Sequence, residues 1–232
     1  MQSALVTGVS SGIGKAIAER LLEMGFRVYG LSRNVTQTTL EHPHFTPLPC
    51  DLRDSEAIEQ TVAALDKSAL TLLVNAAGFG RFEPHEELST ETITAMMRIN
   101  LEAPILLSNL LLRTLKANQG NIVNITSIEA LRSSRFSALY SATKSGLRAF
   151  GQSLFEEVRK EGVNVLTINP DMTDTAFFDD LRFGVSEKED EKLLATDIAD
   201  IVEDILQMRP GSAVTEVTVR AQKFGITKKK TK

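Results

Sequence analysis

The chain has 232 residues, a formal net charge of −4 and one cysteine, Cys50, so an intramolecular disulfide is excluded and a reducing, cytoplasmic setting is expected. Four lysines at the C-terminus (Lys228, Lys229, Lys230, Lys232) leave a body that is more acidic still, which argues against nucleic acid as the main partner. No unbroken run of ~18 apolar residues and no basic leader is present, so neither a membrane span nor a signal peptide is predicted.

A buried strand is predicted over Ala4–Thr7, followed by a helix over 14–24 with Ala16, Ile17, Leu21 and Leu22 on one face. Strands follow at 27–32 and 45–50, the second weakened by its prolines. Asp54 caps a helix carrying Ala57, Ile58, Val62 and Leu65, and a strand covers 70–75. Ser89 caps a long helical region reaching about 116, with Pro104 as its kink. Then come a strand at 121–126, a helix at 137–160 and a strand at 163–169. Thr196 or Asp197 caps a helix over 198–208, and 213–219 is the last strand.

Alternating strands and helices imply βαβ units with right-handed crossovers. The expected fold is a single α/β domain over 1–222: a doubly wound parallel sheet of about seven strands with helices on both faces. Residues 223–232 form a basic tail expected to fray. The segment 173–194 lacks periodicity and is long for a connection, as a lid or binding loop is. His42, His44 and His85 lie in proline-flanked loops without metal-ligand spacing, so no metal site is predicted.

Between the first strand and first helix runs Thr7-Gly8-Val9-Ser10-Ser11-Gly12-Ile13-Gly14. Glycines there let the backbone turn and approach a pyrophosphate, while the helix N-terminus offers free N–H groups. Gly8, Ser10, Ser11, Gly12, Ile13 and Gly14 are therefore assigned to dinucleotide binding. The second strand ends in Leu31-Ser32-Arg33-Asn34, with no carboxylate for a ribose 2′-hydroxyl. Arg33, with Asn34 beside it, suits a 2′-phosphate and selects NADP(H) over NAD(H). A solvated surface arginine is the competing account of Arg33, and Lys15 at the helix start is explained as well by solvent.

With these glycines at the start and Tyr140-x3-Lys144 further on, the chain resembles the short-chain dehydrogenase/reductase family over about residues 2–220. The resemblance implies a Rossmann-like fold with adenine held near Asp51 and Leu52, and cofactor contacts from Asn75-Ala76-Ala77-Gly78, where Ala76 replaces the usual Asn. It implies Asn100, Ser127, Tyr140 and Lys144 as the catalytic set, Lys144 also holding the nicotinamide ribose and Asn100 positioning a water. Pro170, Thr173 and Thr175 match the segment that covers the nicotinamide. Asp171 stands where the family usually has Gly; a left-handed backbone and a charge beside the nicotinamide are expected there. The family forms homodimers or homotetramers through its two long helices, and Ala103, Leu106, Leu107, Leu110 and Leu111 fit such a face, with intramolecular core as the competing account.

Tyr140 and Lys144, four apart, share one helix face. A nearby ammonium is expected to lower the phenol pKa, letting Tyr140 exchange a proton with a carbonyl or alcohol oxygen while Ser127 hydrogen-bonds that oxygen. The expected activity is hydride transfer between NADP(H) and a small carbonyl or alcohol substrate. A non-catalytic NADP(H)-binding sensor or scaffold on the same fold is the alternative, and a superfamily epimerase or dehydratase is a third. Glu129, Phe177 and Phe178 are candidate pocket residues, with Leu181 and Phe183 in the same lid. Solvent for Glu129, and core or subunit contact for the aromatics, explain them equally well.

Overall fold

The computed structural model describes residues 1–35, 38–209 and 211–229. The first half contains β1 (Ser3–Thr7), α1 (Gly12–Glu23), β2 (Arg27–Ser32), β3 (Phe45–Pro49), α2 (Ser55–Ala64), β4 (Leu70–Asn75), α3 (Thr90–Met97) and α4 (Ala103–Ala117). The second contains β5 (Asn121–Ile125), α5 (Ala138–Val158), β6 (Asn164–Pro170), β7 (Thr173–Asp174), β8 (Phe183–Val185), β9 (Leu193–Leu194), α6 (Ala195–Leu206), β10 (Glu216–Val219) and β11 (Ile226–Lys228).

Seven strands form one parallel sheet in the order β3-β2-β1-β4-β5-β6-β10. β1 is an inner strand between β2 and β4 with all five residues buried, as a strand covered on both faces requires. Pro47 and Pro49 are tolerated because β3 is an edge strand, where a missing N–H breaks no inner ladder. On one face α1 and α6 pack Ile17, Leu21, Ile198 and Val202 against Ala4, Val6 and Val74. On the other, α2, α4 and α5 pack Ile58, Val62, Leu107, Leu111 and Leu154 against Leu5 and Leu73. Ala103, Leu107 and Leu111 are therefore core residues and offer nothing to a subunit face, whereas Leu106 and Leu110 remain half-buried.

Asp54 accepts bonds from Glu56 N and Ala57 N, and Ser89 from Thr92 N, as caps do. α6 starts earlier than predicted: Asp197 sits inside it and reaches back to Leu194 N at 2.8 Å. Residues 98–102, just before Pro104, form a π-helical turn in which Ala103 N bonds to Arg98 O. Pro104 has no N–H to continue the α-helical ladder, and the wider turn absorbs the break. Taken together, Thr90–Ala117 has the length and mean hydropathy (1.2) of a membrane-crossing helix, which the unbroken-run criterion did not flag. Its buried stripe, Leu107, Leu111 and Leu115, lies against the sheet.

The predicted frayed tail is instead structured through residue 229, while Lys230 and Lys232 lie outside the described residues. β11 pairs antiparallel with β8, so β10 is not the last strand. Lys229 Nζ donates to Phe178 O (2.5 Å) and Asp179 O (3.1 Å), and Lys223 pairs with Asp190. Unpaired N–H and C=O groups on the short β8 supply the docking edge, and carbonyls at the end of a 3-10 turn take the lysine.

Candidate active site

The carboxyl ends of the central strands, where open α/β sheets place their ligands, gather nearly all the predicted site residues. A groove of about 530 Å³ lined by Gln2, Arg20, Phe26 and Glu203 opens at the opposite end and shares none of them.

Gly8 and Gly12 have φ of +77° and +59°, a region that strains any side chain. A Cβ on Gly8 would lie 2.9 Å from Ala77 Cα, and one on Gly14 2.5 Å from Gly8 O. These glycines bring the loop against the end of β4 and α1 against the loop. Ser11 precedes α1 without a side-chain cap, and the first turn of α1 contains no acid. Its N–H groups therefore keep their partial positive charge facing the loop. Ser10 is half-buried, and Ile13 packs its side chain on the core. Thr7 Oγ1 accepts from Ala76 N and Ala77 N, both at 3.0 Å, which holds the Asn75–Gly78 turn beside the loop.

Arg33 and Asn34 are exposed at the end of β2. Asp51 accepts both Nε and Nη2 of Arg53, which hold its carboxyl below the usual range, with Arg33 contributing more weakly. Leu52 is buried.

α5 places Tyr140 and Lys144 side by side, both buried. Lys144 Nζ donates to Ile125 O at 3.0 Å and lies 5.9 Å from the Tyr140 ring centroid. Ser127 caps the 3-10 turn 128–130 after β5, accepting from Glu129 N at 3.2 Å, and its hydroxyl faces the phenol of Tyr140 and opposes the rise in its pKa. Gly78 leaves the space into which Lys144 and Asn100 reach, since a Cβ there would lie 3.2 Å from each.

Past Pro170, Thr175 caps the turn 176–178 and lays its methyl against Gly12, 3.1 Å from where a Cβ would be. Thr173 is buried, its hydroxyl donating to Asp171 O at 2.9 Å. The lid segment thus lies across the glycine loop, tied back by β7 pairing with β9.

A profile of the short chain dehydrogenase family matches residues 2–184. The chain belongs to this family. An uncharacterized oxidoreductase of Staphylococcus saprophyticus is 32% identical to it over 228 residues, covering 94% of this chain and 96% of the relative. The alcohol dehydrogenase of the archaeon Thermococcus sibiricus, complexed with 5-hydroxy-NADP, matches with a TM-score of 0.85 at 26% identity, covering 95% of this chain and 97% of that one. A metagenomic short-chain oxidoreductase in complex with NADP gives a TM-score of 0.79 at 30% identity, with 94% and 96% covered.

In this short-chain dehydrogenase the expectations for Tyr140 and Asp171 change. Tyr140 was expected to have a lowered pKa; its pKa is raised instead. Burial dominates, the Ser127 hydrogen bond opposes it, and the Glu129 charge adds to it. Burial also pushes Lys144 down to about 8. The side-chain amide of Asn100 is engaged by protein. Oδ1 accepts from Phe79 N (3.1 Å), and Nδ2 donates to Phe79 O (2.9 Å) and Thr143 Oγ1 (3.2 Å). Asp171 was expected to be left-handed with its charge beside the nicotinamide. Its φ is not positive, and its carboxylate turns to Arg220 Nε at 3.2 Å while accepting from Met172 N. β10 ends next to β6 and delivers that arginine, so the charge is partnered within the sheet edge.

Glu129 is buried rather than solvated. It binds Arg132 Nε and Ser134 Oγ, both at 2.8 Å, and Ser141 Oγ at 3.3 Å, and so orders the loop behind Ser127. Sequence reasoning missed Phe79, Phe82 and Thr143. The two phenylalanines follow the Asn75–Gly78 turn in Phe79-Gly80-Arg81-Phe82, an irregular stretch with no periodic signal, and their position just beyond a strand end was the only clue.

Proposed function

We propose that this oxidoreductase uses NADP(H) to interconvert a carbonyl compound and its alcohol, with Tyr140 as acid and base. The observation that carries the reading is the convergence of Ser127, Tyr140 and Lys144 beside a glycine cradle that a Cβ would fill. The cradle suits a dinucleotide: Gly8, Gly12 and Gly14 allow close approach, and the uncapped start of α1 presents N–H groups to a pyrophosphate. Ser10, Ser11 and Ile13 contribute backbone there. Arg33 and Asn34 would meet the 2′-phosphate, Asp51 and Leu52 the adenine, and Asn75, Ala76, Ala77 and Gly78 the ribose side. Pro170, Thr173 and Thr175 would cover the nicotinamide, and Lys144 would hold its ribose. A bound nicotinamide supplies the hydride.

In reduction, Tyr140 starts as a phenol, the form that burial favours, and donates its proton to the carbonyl oxygen. Ser127 donates a hydrogen bond to the same oxygen as negative charge develops there. Lys144 retains its proton at neutral pH and stabilises the phenolate left behind. Alcohol oxidation begins from that same phenolate, so the burial penalty on it bears on both directions and Lys144 offsets it in each. Asn100 acts as a positioning residue by holding Phe79 and Thr143.

The test is NADPH oxidation over a panel of aldehydes, ketones, diketones and 3-oxoacyl thioesters. Turnover supports the reading. Tight NADPH binding with no turnover on any compound would replace it with a nucleotide-binding scaffold. Arg33→Ala is expected to lower the preference for NADPH over NADH, measured as a ratio of Kd values, about 10- to 100-fold by loss of charge-assisted bonds. An unchanged ratio would make Arg33 a surface residue.

Assembly into a dimer or tetramer through α4 and α5 belongs to the same proposal, supported by half-buried Leu106, Leu110, Phe150 and Phe155. Leu106→Arg is expected to give a monomer by light scattering; an unchanged mass would place the interface elsewhere.

A further inference from the structure

Aromatic side chains from two separate segments cover the outer side of Tyr140. Phe82, from the connection after β4, lies 5.2 Å from the Tyr140 ring, and Phe177, from the lid, lies 5.8 Å from it, centroid to centroid. Phe82 also meets Phe183 at 5.2 Å, and Phe178 bridges Phe177 (5.1 Å) and Phe183 (5.9 Å). The rings meet tilted or edge to face, as opposed quadrupoles prefer. Gly80 makes the approach possible: a Cβ there would lie 2.8 Å from both Phe177 and Phe82.

Of the charged groups beside this cluster, Lys144 donates to Ile125 O and all but Arg182 have partners among the described residues. Arg132 is held by Glu129, and Arg81 Nη1 donates to Asp180 O at 3.4 Å. Lys229 is held by the carbonyls of Phe178 and Asp179, and Arg182 is exposed. Glu129 is occupied by Arg132, Ser134 and Ser141. A substrate carboxylate placed among these rings would lose its hydration, while the nearby cations are already bonded to carbonyls or to Glu129 or, like Arg182, lie in solvent. A flat apolar group would lose nothing comparable, because the ring now resting on Tyr140 is itself such a group.

We infer that the substrate is an uncharged carbonyl compound whose carbonyl carries an aromatic or similarly flat apolar group, which takes the place of the Phe177 ring between Tyr140 and Phe82. This rests on the carbonyl–alcohol reading above. The carbonyl carbon gains a hydride from NADPH and its oxygen gains the Tyr140 proton. The carbonyl is thereby reduced by two electrons, and NADPH leaves as NADP+.

The test compares NADPH oxidation with benzaldehyde, 4-formylbenzoate and acetaldehyde. The para carboxylate of the second leaves the reacting group in place and adds only a charge at the far end of the ring. Wild type is expected to show kcat/KM at least about 100-fold higher for benzaldehyde than for 4-formylbenzoate, chiefly through KM. Phe82→Ala is expected to lower the benzaldehyde-to-acetaldehyde ratio of kcat/KM about 10-fold. Equal or reversed preference between the two aromatic aldehydes in the wild-type enzyme overturns the substrate class and leaves the reductase standing. Absence of NADPH oxidation with all three overturns the class, and absence across the wider panel as well overturns the reading beneath it.

Discussion

Tyr140→Phe is expected to lower kcat for NADPH-driven carbonyl reduction about 1000-fold, the scale of a positioned general acid. The substitution removes one oxygen and keeps the ring, so the contacts with Phe82 and Phe177 survive. NADPH affinity is therefore expected to stay within about 3-fold, a change of well under 1 kcal/mol. The loss falls on kcat because the proton is needed only as charge develops on the substrate oxygen. Single-turnover kinetics with NADPH saturating separates this from a binding defect. A variant retaining more than a tenth of wild-type kcat would remove Tyr140 from the chemistry.

Lys144→Met is expected to abolish turnover and yet stabilise the ligand-free protein at pH 7. Lys144 is a charge 4% exposed, with one hydrogen bond, to Ile125 O. Burial pushes its pKa from an ordinary 10.5 down to about 8. Below pH 8 the amine is charged in both the folded and unfolded chain, and the folded state bears the whole burial penalty. Between about 8 and 10.5 the unfolded chain keeps the proton that the folded chain has released, so wild type gains stability as pH rises through that window. Methionine fills similar volume without charge. Set against about 1 kcal/mol for the lost bond to Ile125 O, the net gain at pH 7 is about 2 kcal/mol. For a chain of this size that is a rise in Tm of about 4–8 °C. The gap between variant and wild type should close as pH rises towards 10.5, by thermal or urea denaturation. A less stable variant at pH 7 would mean that Lys144 contributes more through its bond and packing than its burial penalty takes away. The site would then hold its lysine at no expense to the fold, against the usual tension between function and stability.

Most of the sheet was legible because its strands and helices advertise themselves locally. Alternation of short apolar runs with amphipathic stretches marked six of the seven sheet strands within a residue at either end. The seventh, β10, is three residues shorter at its start than predicted. Asp54 and Ser89 were readable as caps because a cap is a contact between neighbours, whereas Asp197 misled because an acid three residues into a helix carries the same local signature. The glycine loop was readable for a related reason: φ values of +77° and +59° at Gly8 and Gly12 leave no other residue comfortable there. The shared face of Tyr140 and Lys144 follows from helical spacing alone.

What local pattern could not carry was any property set by partners distant in the chain. The direction of the Tyr140 shift depends on the enclosure made by Phe82 and Phe177, which a reading of Tyr140 and Lys144 as an isolated pair omits. Asp171 pairs with Arg220 because β10 lies beside β6, and Asn100 clasps Phe79 across 21 residues. The basic tail reads as solvated charge until β11 finds the open edge of β8. Backbone sterics and amphipathic period act within a few residues, so they are written in the chain order itself. Burial, counter-charge and strand edges arise only once the sheet has brought remote segments together, and these decide how the site's groups are charged and held.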